Sequence, residues 1–103
     1  MRRVMVRYRV KPDQVARNEE LVRAVYQELH DSRPDGIRYA TFQLDDGVTF
    51  VHIAETEEGR NPLSDLAAFQ EFQKDIEARC DEPPVVSELR EIGAFRLFSQ
   101  ARR

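Results

Sequence analysis

The stretch IRYATFQLDDGVTFVHIAE, residues 37 to 55, decides the fold of this chain. Two runs rich in β-branched and aromatic residues flank the acidic turn DDG, in which Asp-Gly readily supplies the left-handed backbone of a tight turn. The stretch is therefore predicted to be a β-hairpin that turns on Asp46 and Gly47. Counting outward from that turn pairs Thr41 with His52.

Alternation along the hairpin divides its side chains between two faces. The apolar face carries Ala40, Phe42, Val51 and Ile53. It is predicted to pack against helices, which leaves His52 in the middle of the opposite, mixed face beside Tyr39, Thr41 and Phe50. A three-residue loop would invert this parity and turn His52 toward the helices.

The remaining elements follow from periodicity and from helix stop signals. VMVRYRV, residues 4 to 10, alternates as a strand that ends before Pro12. A first amphipathic helix is expected over about residues 14 to 32, capped by Asp13. A second begins after Asn61 and carries an apolar stripe as far as Cys80, and a last strand is expected over residues 85 to 98.

The order βαββαβ predicts an α+β fold, a ferredoxin-like sandwich with a four-stranded antiparallel sheet and two helices on one face. A single domain is expected over residues 1 to 103. Because the first and third strands of such a sheet are neighbours, Arg7 is expected to border the surface that bears His52. That surface is too apolar to face water, so a homodimer with two such faces in contact is predicted.

Composition excludes several classes of function. A net charge of −3 argues against nucleic-acid binding. The charge is unevenly placed, with five basic and no acidic groups in residues 1 to 11, which suggests contact between segments or between subunits. The lone Cys80 and the lack of metal-ligand spacing predict no metal, no cofactor and a cytoplasmic location. No apolar run is long enough for a signal peptide or a membrane span, so no membrane contact is expected.

Four features are informative together: the strand running into Lys11-Pro12, the hairpin ending near Glu55, the helix FQEFQKDIEARC and the closing segment EIGAFRLF. In these features the chain resembles the dimeric α+β barrel superfamily. Within it, the chain is similar to the antibiotic biosynthesis monooxygenase-like domains. The resemblance implies a dimer of face-to-face sheets that binds a small organic molecule and in some members oxidises it without a cofactor.

The chain departs from that family in places. Pro12-Asp13 stands where members typically have Pro-Gly, and the absence of tryptophan and of a histidine in the second helix argues against haem degradation. RNA-recognition motifs share the element order, but Val48 and Asp46 replace the stacking aromatic and the basic residue expected there. Acylphosphatase-like chemistry is excluded because no glycine-rich anion loop follows the first strand.

His52 is the candidate catalytic residue, since an imidazole suits proton transfer near neutrality. The alternative is a structural histidine bonded to Thr41, Gln43 or a partner subunit. Arg7 is a candidate for holding an acidic ligand, or else pairs, like Arg9, with acidic residues of the last strand. Tyr39, Thr41 and Phe50 are candidates for substrate binding, although the two rings also suit a dimer interface.

The sequence therefore predicts a small-molecule-handling dimer, with His52 taking a proton from a phenolic or enolic substrate before its anion meets oxygen. The competing hypothesis is a non-catalytic dimeric module that binds a ligand or pairs with a partner. His30, in the last turn of the first helix, is expected to be structural there. Cys80 lacks the positive surroundings of a reactive thiol.

Overall fold

One antiparallel sheet with helices packed on a single face makes up the computed structural model, which describes residues 1–97. The sheet order is β2-β3-β1-β4, so the predicted ferredoxin-like α+β fold is confirmed. The elements are β1 (Arg2–Val10), α1 (Val15–Ser32), β2 (Ile37–Gln43), β3 (Thr49–Thr56), α2 (Ala67–Gln73), α3 (Ile76–Arg79) and β4 (Cys80–Glu88). Short 3-10 helices at Pro12–Gln14 and Pro62–Asp65 precede α1 and α2.

The β2–β3 hairpin has the register that the sequence predicts, with Thr41 opposite His52. Its turn is longer than expected: Leu44 and Thr49 close a loop in which Gly47, at φ 78°, donates its N–H to the carbonyl of Leu44 at 3.0 Å. The Asp46 carboxylate accepts hydrogen bonds from the backbone of Val48 and Thr49. A four-residue loop has the same parity as a two-residue turn, so the pairing is unchanged.

The assignment of the two sheet faces was wrong. β1 pairs with β3 so that Val6 lies opposite His52 and Tyr8 opposite Phe50. His52 therefore shares the face of Tyr8 and Val10, both fully buried beneath the helices. Arg7 lies on the other face, because Arg side chains need the solvent that the helices exclude.

The helices cover the sheet with an apolar core that includes a few polar groups. This core contains Tyr8, Val10, Leu21, Val25, Phe50, Leu63, Leu66, Phe72 and Cys80. Asn18, His52 and Arg79 are buried among these side chains. Polar residues in such surroundings must hydrogen-bond to one another, because water cannot reach them.

The predicted second helix is divided. The Asn61 side chain caps the 3-10 turn at the N–H of Leu63. α2 then ends at Gln73, because its C-cap Lys74 is extended, with ψ 129°, and Asp75 is left-handed at φ 64°. α3 then ends before Cys80, which begins β4 rather than ending a helix. At α1 the expected Asp13 cap is also wrong, because Asp13 lies in the preceding 3-10 helix and Gln14 is the N-cap.

The last strand begins earlier than expected and ends earlier too. β4 includes Pro83 and Pro84 and stops at Glu88, whereas residues 89–97 are not strand and residue 98 lies outside the described part. β4 is at an edge of the sheet, where proline removes no needed donor, and its pairing with β1 is irregular between Arg7 and Val10.

The basic first strand pairs with acidic groups, largely of the last strand and the segment after it, as its charge pattern predicts. Arg2 contacts Glu88 at 3.1 Å and Arg9 contacts Glu82 at 3.2 Å. Arg3 joins Glu55 of β3 to Glu91. The pairs of Arg2 and Arg9 with β4 are exposed and contribute little stability each, whereas the Arg3–Glu55 pair between the two inner strands is partly buried.

Candidate functional site

His52 lies at the centre of a buried group of aromatic and polar side chains. It is 4% exposed. Its Nε2 lies 2.7 Å from the hydroxyl of Tyr8, and its Nδ1 lies 2.6 Å from the hydroxyl of Tyr39 and 3.1 Å from Oγ1 of Thr41. The ring of Phe72 covers it from the helix side, with ring centroids 5.4 Å apart. Both ring nitrogens therefore have partners from the neighbouring strands.

The hydrogen bonds continue from Tyr8 into the helices. Asn18 of α1 donates through Nδ2 to the Tyr8 hydroxyl at 3.0 Å, and its Oδ1 accepts from Nε of Arg79 at 3.3 Å. Arg79 also donates to the backbone carbonyls of Phe72 and Lys74. The broken turn between α2 and α3 is thus connected through Asn18 to the histidine.

On the other side of His52 the hydrogen bonds reach the surface. The Thr41 hydroxyl lies 2.8 Å from the hydroxyl of Tyr26, which is half-buried on α1. The rings of Tyr26 and Tyr39 stack with centroids 5.3 Å apart and planes 16° apart. Tyr26 is therefore the outer end of a connected set of groups that begins at Arg79.

Burial sets the ionisation of these groups. Desolvation disfavours the charged imidazolium and lowers the pKa of His52 from 6.5 to about 4. The same effect raises the pKa of Tyr26 to about 12, and raises the pKa of Tyr8 and of Tyr39 further. At neutral pH the histidine and the three phenols are thus uncharged, and each acts as a hydrogen-bond donor and acceptor.

Two open cavities adjoin the groove between α1 and β2, and Tyr26 and His30 border both. One, of about 550 Å³, includes Thr41 and Phe50 in its walls, and the other, of about 520 Å³, includes Tyr39. These volumes are within the usual range of small-ligand sites. His52 lines neither cavity, but a single hydrogen bond connects it to a residue in the wall of each.

The hairpin brings four of the predicted site residues together. Tyr39, Thr41, Phe50 and His52 form one cluster, although on the helix side of the sheet rather than the open side. Arg7 is not part of it, since it lies on the opposite face.

Sequence reasoning missed the partners that other elements contribute to this cluster, namely Tyr8, Asn18, Tyr26 and Arg79. Asn18 and Arg79 could have been noticed as single polar residues at helical spacing within apolar stripes. Tyr8 and Tyr26 gave no such signal, because tyrosine also fits an apolar stripe.

The other candidate groups keep minor roles. His30 is exposed in the last turn of α1. Cys80 is buried, which raises the pKa of its thiol. Within residues 1–97 no group of three or more acidic, histidine or cysteine side chains is placed to hold a metal ion. In the same residues, no helix combines the length and apolarity needed to cross a membrane.

Sheet order and helix placement together define the class of the protein as a ferredoxin-like α+β domain. The solved structures similar to it include a protein of Nitrosomonas europaea provisionally named as an antibiotic biosynthesis monooxygenase. It is 19% identical over 90% of this chain and 100% of its own, with a TM-score of 0.75. A conserved protein of Methanosarcina mazei Go1 is 19% identical over 87% of this chain and 91% of its own, with a TM-score of 0.71.

A third similar structure, from Caulobacter crescentus CB15, is also provisionally named as an antibiotic biosynthesis monooxygenase. It is 14% identical over 89% of this chain and 90% of its own, with a TM-score of 0.69. A search with the sequence found no matching family model and no curated relative. The resemblance to monooxygenase-like domains is thus confirmed in the fold, which these structures share.

Replacing Tyr8 with Phe should destabilise the protein by about 1–3 kcal/mol, because it leaves buried nitrogens of His52 and Asn18 without a partner. Tyr26→Phe is the matched control, since its hydroxyl lies beside an open cavity where water can replace it. Urea unfolding of both variants measures the difference. Equal losses, or no loss in Tyr8→Phe, would contradict the buried network.

Stability should fall as the pH drops from 6.5 toward 4, because over this range the unfolded chain protonates His52 and the folded chain does not. The full contribution is present above pH 6.5, and the loss accumulated by about pH 4 is on the order of 3 kcal/mol. In His52→Gln this part of the pH dependence should disappear, while all other groups titrate alike. Parallel urea-midpoint profiles of the two proteins would show that His52 is not the cause.

Proposed function

We propose that the protein binds a small, flat organic molecule bearing a hydroxyl or carbonyl oxygen in the groove between α1 and β2. The observation that carries this proposal is the position of Tyr26 and Thr41. Their hydroxyls border an open cavity and are hydrogen-bonded, at 2.8 Å, to each other and onward to the buried His52. A ligand oxygen at this point would join a set of hydrogen bonds that is already in place.

The walls of the groove favour an aromatic ligand. Tyr26 and Tyr39 offer stacked rings, and Phe50 contributes a third ring to the wall of the larger cavity. Aromatic rings pack well against flat ligands, while a few polar groups fix their orientation. On the α1 side, Arg23 and Gln27 add polar atoms at the rim.

We propose that the ligand is a phenol that is oxidised by O2 without a cofactor, with 1-naphthol as a representative substrate. The phenolic proton leaves to water in the open groove, the Tyr26 hydroxyl donates a hydrogen bond to the resulting anion, and the anion forms a bond from its para carbon to O2. The hydroperoxide regains the proton and loses water, so that 1-naphthol and O2 give 1,4-naphthoquinone and water. O2 accepts four electrons, all from the substrate.

In this proposal His52 acts through its neighbours rather than by touching the substrate. Its pKa of about 4 means that a proton does not remain on the ring at neutral pH. The ring instead holds Tyr39 and Thr41 in place through its hydrogen bonds. The same burial supports a second candidate function, a non-catalytic ligand-binding module, because a weakly basic histidine without access to the groove is a poor general base.

The protein is further proposed to be a homodimer that pairs through the open face of the sheet. That face carries Met5, Val51 and Ile53, which are half-buried, and Val85, which is 62% exposed. The sequence also suggested pairing through the open face that bears Met5, but Tyr39 and Phe50, which were expected on that face, lie on the helix side. Apolar side chains on such a surface gain stability when a second copy excludes water from them.

The dimer can be tested on two adjacent valines of β4 that are similarly exposed but point to opposite faces. Val85→Asp should make the protein monomeric in light scattering at micromolar concentration, because it places a charge in the proposed interface. Val86→Asp, at a position 60% exposed on the helix side, should leave the dimer intact. A monomeric wild-type protein, or equal effects of the two variants, would refute this mode of pairing.

Ligand binding and oxidation can be separated with 1-naphthol as the probe. In amide NMR spectra it should shift signals of α1 and β2, and Thr41→Val should weaken its binding severalfold, whereas Ser64→Ala, which removes an exposed hydroxyl outside the groove, should not. An oxygen electrode and quinone absorbance measure turnover. Binding with oxygen uptake supports the enzyme, binding without it supports the non-catalytic module, and no binding refutes both.

A further inference from the structure

The buried hydrogen bonds have a direction that begins at Arg79. A guanidinium can only donate, so the Asn18 atom that faces Nε of Arg79 at 3.3 Å must be the amide oxygen. The amide nitrogen of Asn18 then faces the Tyr8 hydroxyl at 3.0 Å and donates to it. The orientation of the amide is thus decided by the charge of Arg79, which is itself buried.

The direction passes from Tyr8 to His52. The Tyr8 hydroxyl receives a hydrogen bond from Asn18 and has one proton of its own, and its remaining partner is Nε2 of His52 at 2.7 Å. Because a buried hydroxyl proton needs an acceptor, Nε2 must be the unprotonated nitrogen. The neutral ring therefore carries its proton on Nδ1.

The same direction continues to the groove. Nδ1–H points at the Tyr39 hydroxyl, 2.6 Å away, and at Oγ1 of Thr41, 3.1 Å away. Thr41 then donates to the Tyr26 hydroxyl at 2.8 Å, which leaves the proton of Tyr26 free to point into the groove. Each group in this series donates outward.

Resting on the proposed ligand-binding function, we propose that Arg79 and Asn18 are positioning residues that hold His52 as the Nδ1–H tautomer. In doing so they make Tyr26 a hydrogen-bond donor toward the ligand. The site consequently prefers ligands that present an acceptor oxygen, a carbonyl or an ionised phenol, over ligands that present only a donor. Neither residue touches the ligand, so both act by fixing which atom of each hydrogen bond carries the proton.

The tautomer can be measured without any ligand, from the imidazole nitrogen chemical shifts of His52 in 15N-histidine-labelled protein. The wild type should show a protonated Nδ1 and an unprotonated Nε2. Asn18→Asp keeps the shape and the pairing with Arg79 but can only accept, so Tyr8 should donate to the new carboxylate and Nε2 should gain a proton. Arg79→Lys, which still only donates, should keep the wild-type pattern.

A wild-type ring protonated on Nε2 would overturn the proposal by itself, even if the variants do not fold. An unprotonated Nε2 in folded Asn18→Asp, or a reversed tautomer in Arg79→Lys, would also overturn it. Because these results need no ligand, they are independent of whether 1-naphthol binds. The proposed function can therefore fail while the tautomer assignment stands.

The preference for an acceptor oxygen is tested with 4-nitrophenol, which is yellow only when ionised. On binding to the wild type its phenolate fraction should rise, and Asn18→Asp should reduce that rise while Arg79→Lys preserves it. Binding as the neutral phenol, or no binding, would overturn the ligand preference, and the tautomer is judged by NMR alone.

Discussion

The structure depends on burying a neutral His52 with both ring nitrogens hydrogen-bonded. Leaving either nitrogen without a partner would cost about 1–3 kcal/mol, a large part of the stability of a small domain. The partners are Tyr8 of β1 and Tyr39 of β2, and these strands flank β3 on its two sides. One ring therefore links three strands, and a slip of either neighbouring strand by one residue would break a hydrogen bond as well as a packing contact.

Local signals in the sequence were sufficient for most of the fold. The Asp46-Gly47 turn fixed the parity of the hairpin, and the apolar spacing of the first helix placed α1 within one residue of its observed start. The division of the second helix at Lys74 and Asp75 could not be predicted, because the apolar stripe continues across it. The bounds of β4 could not be predicted either. Proline is excluded from a strand only where the strand's N–H groups are needed for pairing, and that depends on whether the strand lies at the sheet edge.

The candidate site was predictable only as far as the hairpin that carries it. Register alone brings Tyr39, Thr41 and His52 together, whichever way the sheet faces. The face was misjudged because the hairpin was oriented by its own apolar residues, and the side of β1 expected beside His52 was that of Arg7, whereas the β1–β3 register sets His52 on the side of Tyr8. The polar side chains of that face were taken as a reason for it to be exposed. In the structure they hydrogen-bond to one another and to two helix residues, and these pairings cannot be read from any single segment of the sequence.

In the proposed site, the buried histidine is separate from the hydroxyl that would meet the ligand. A histidine in the groove would keep a pKa close to 6.5 and exchange protons with water, whereas the buried ring, with a pKa of about 4, exchanges them only through its hydroxyl neighbours. In the proposed site, specificity is determined by which protons point outward, and we propose that Arg79, on the far side of the ring, sets that order. Substitutions remote from the groove should therefore change what Tyr26 can bind, while substitutions at the rim should change only how tightly it binds.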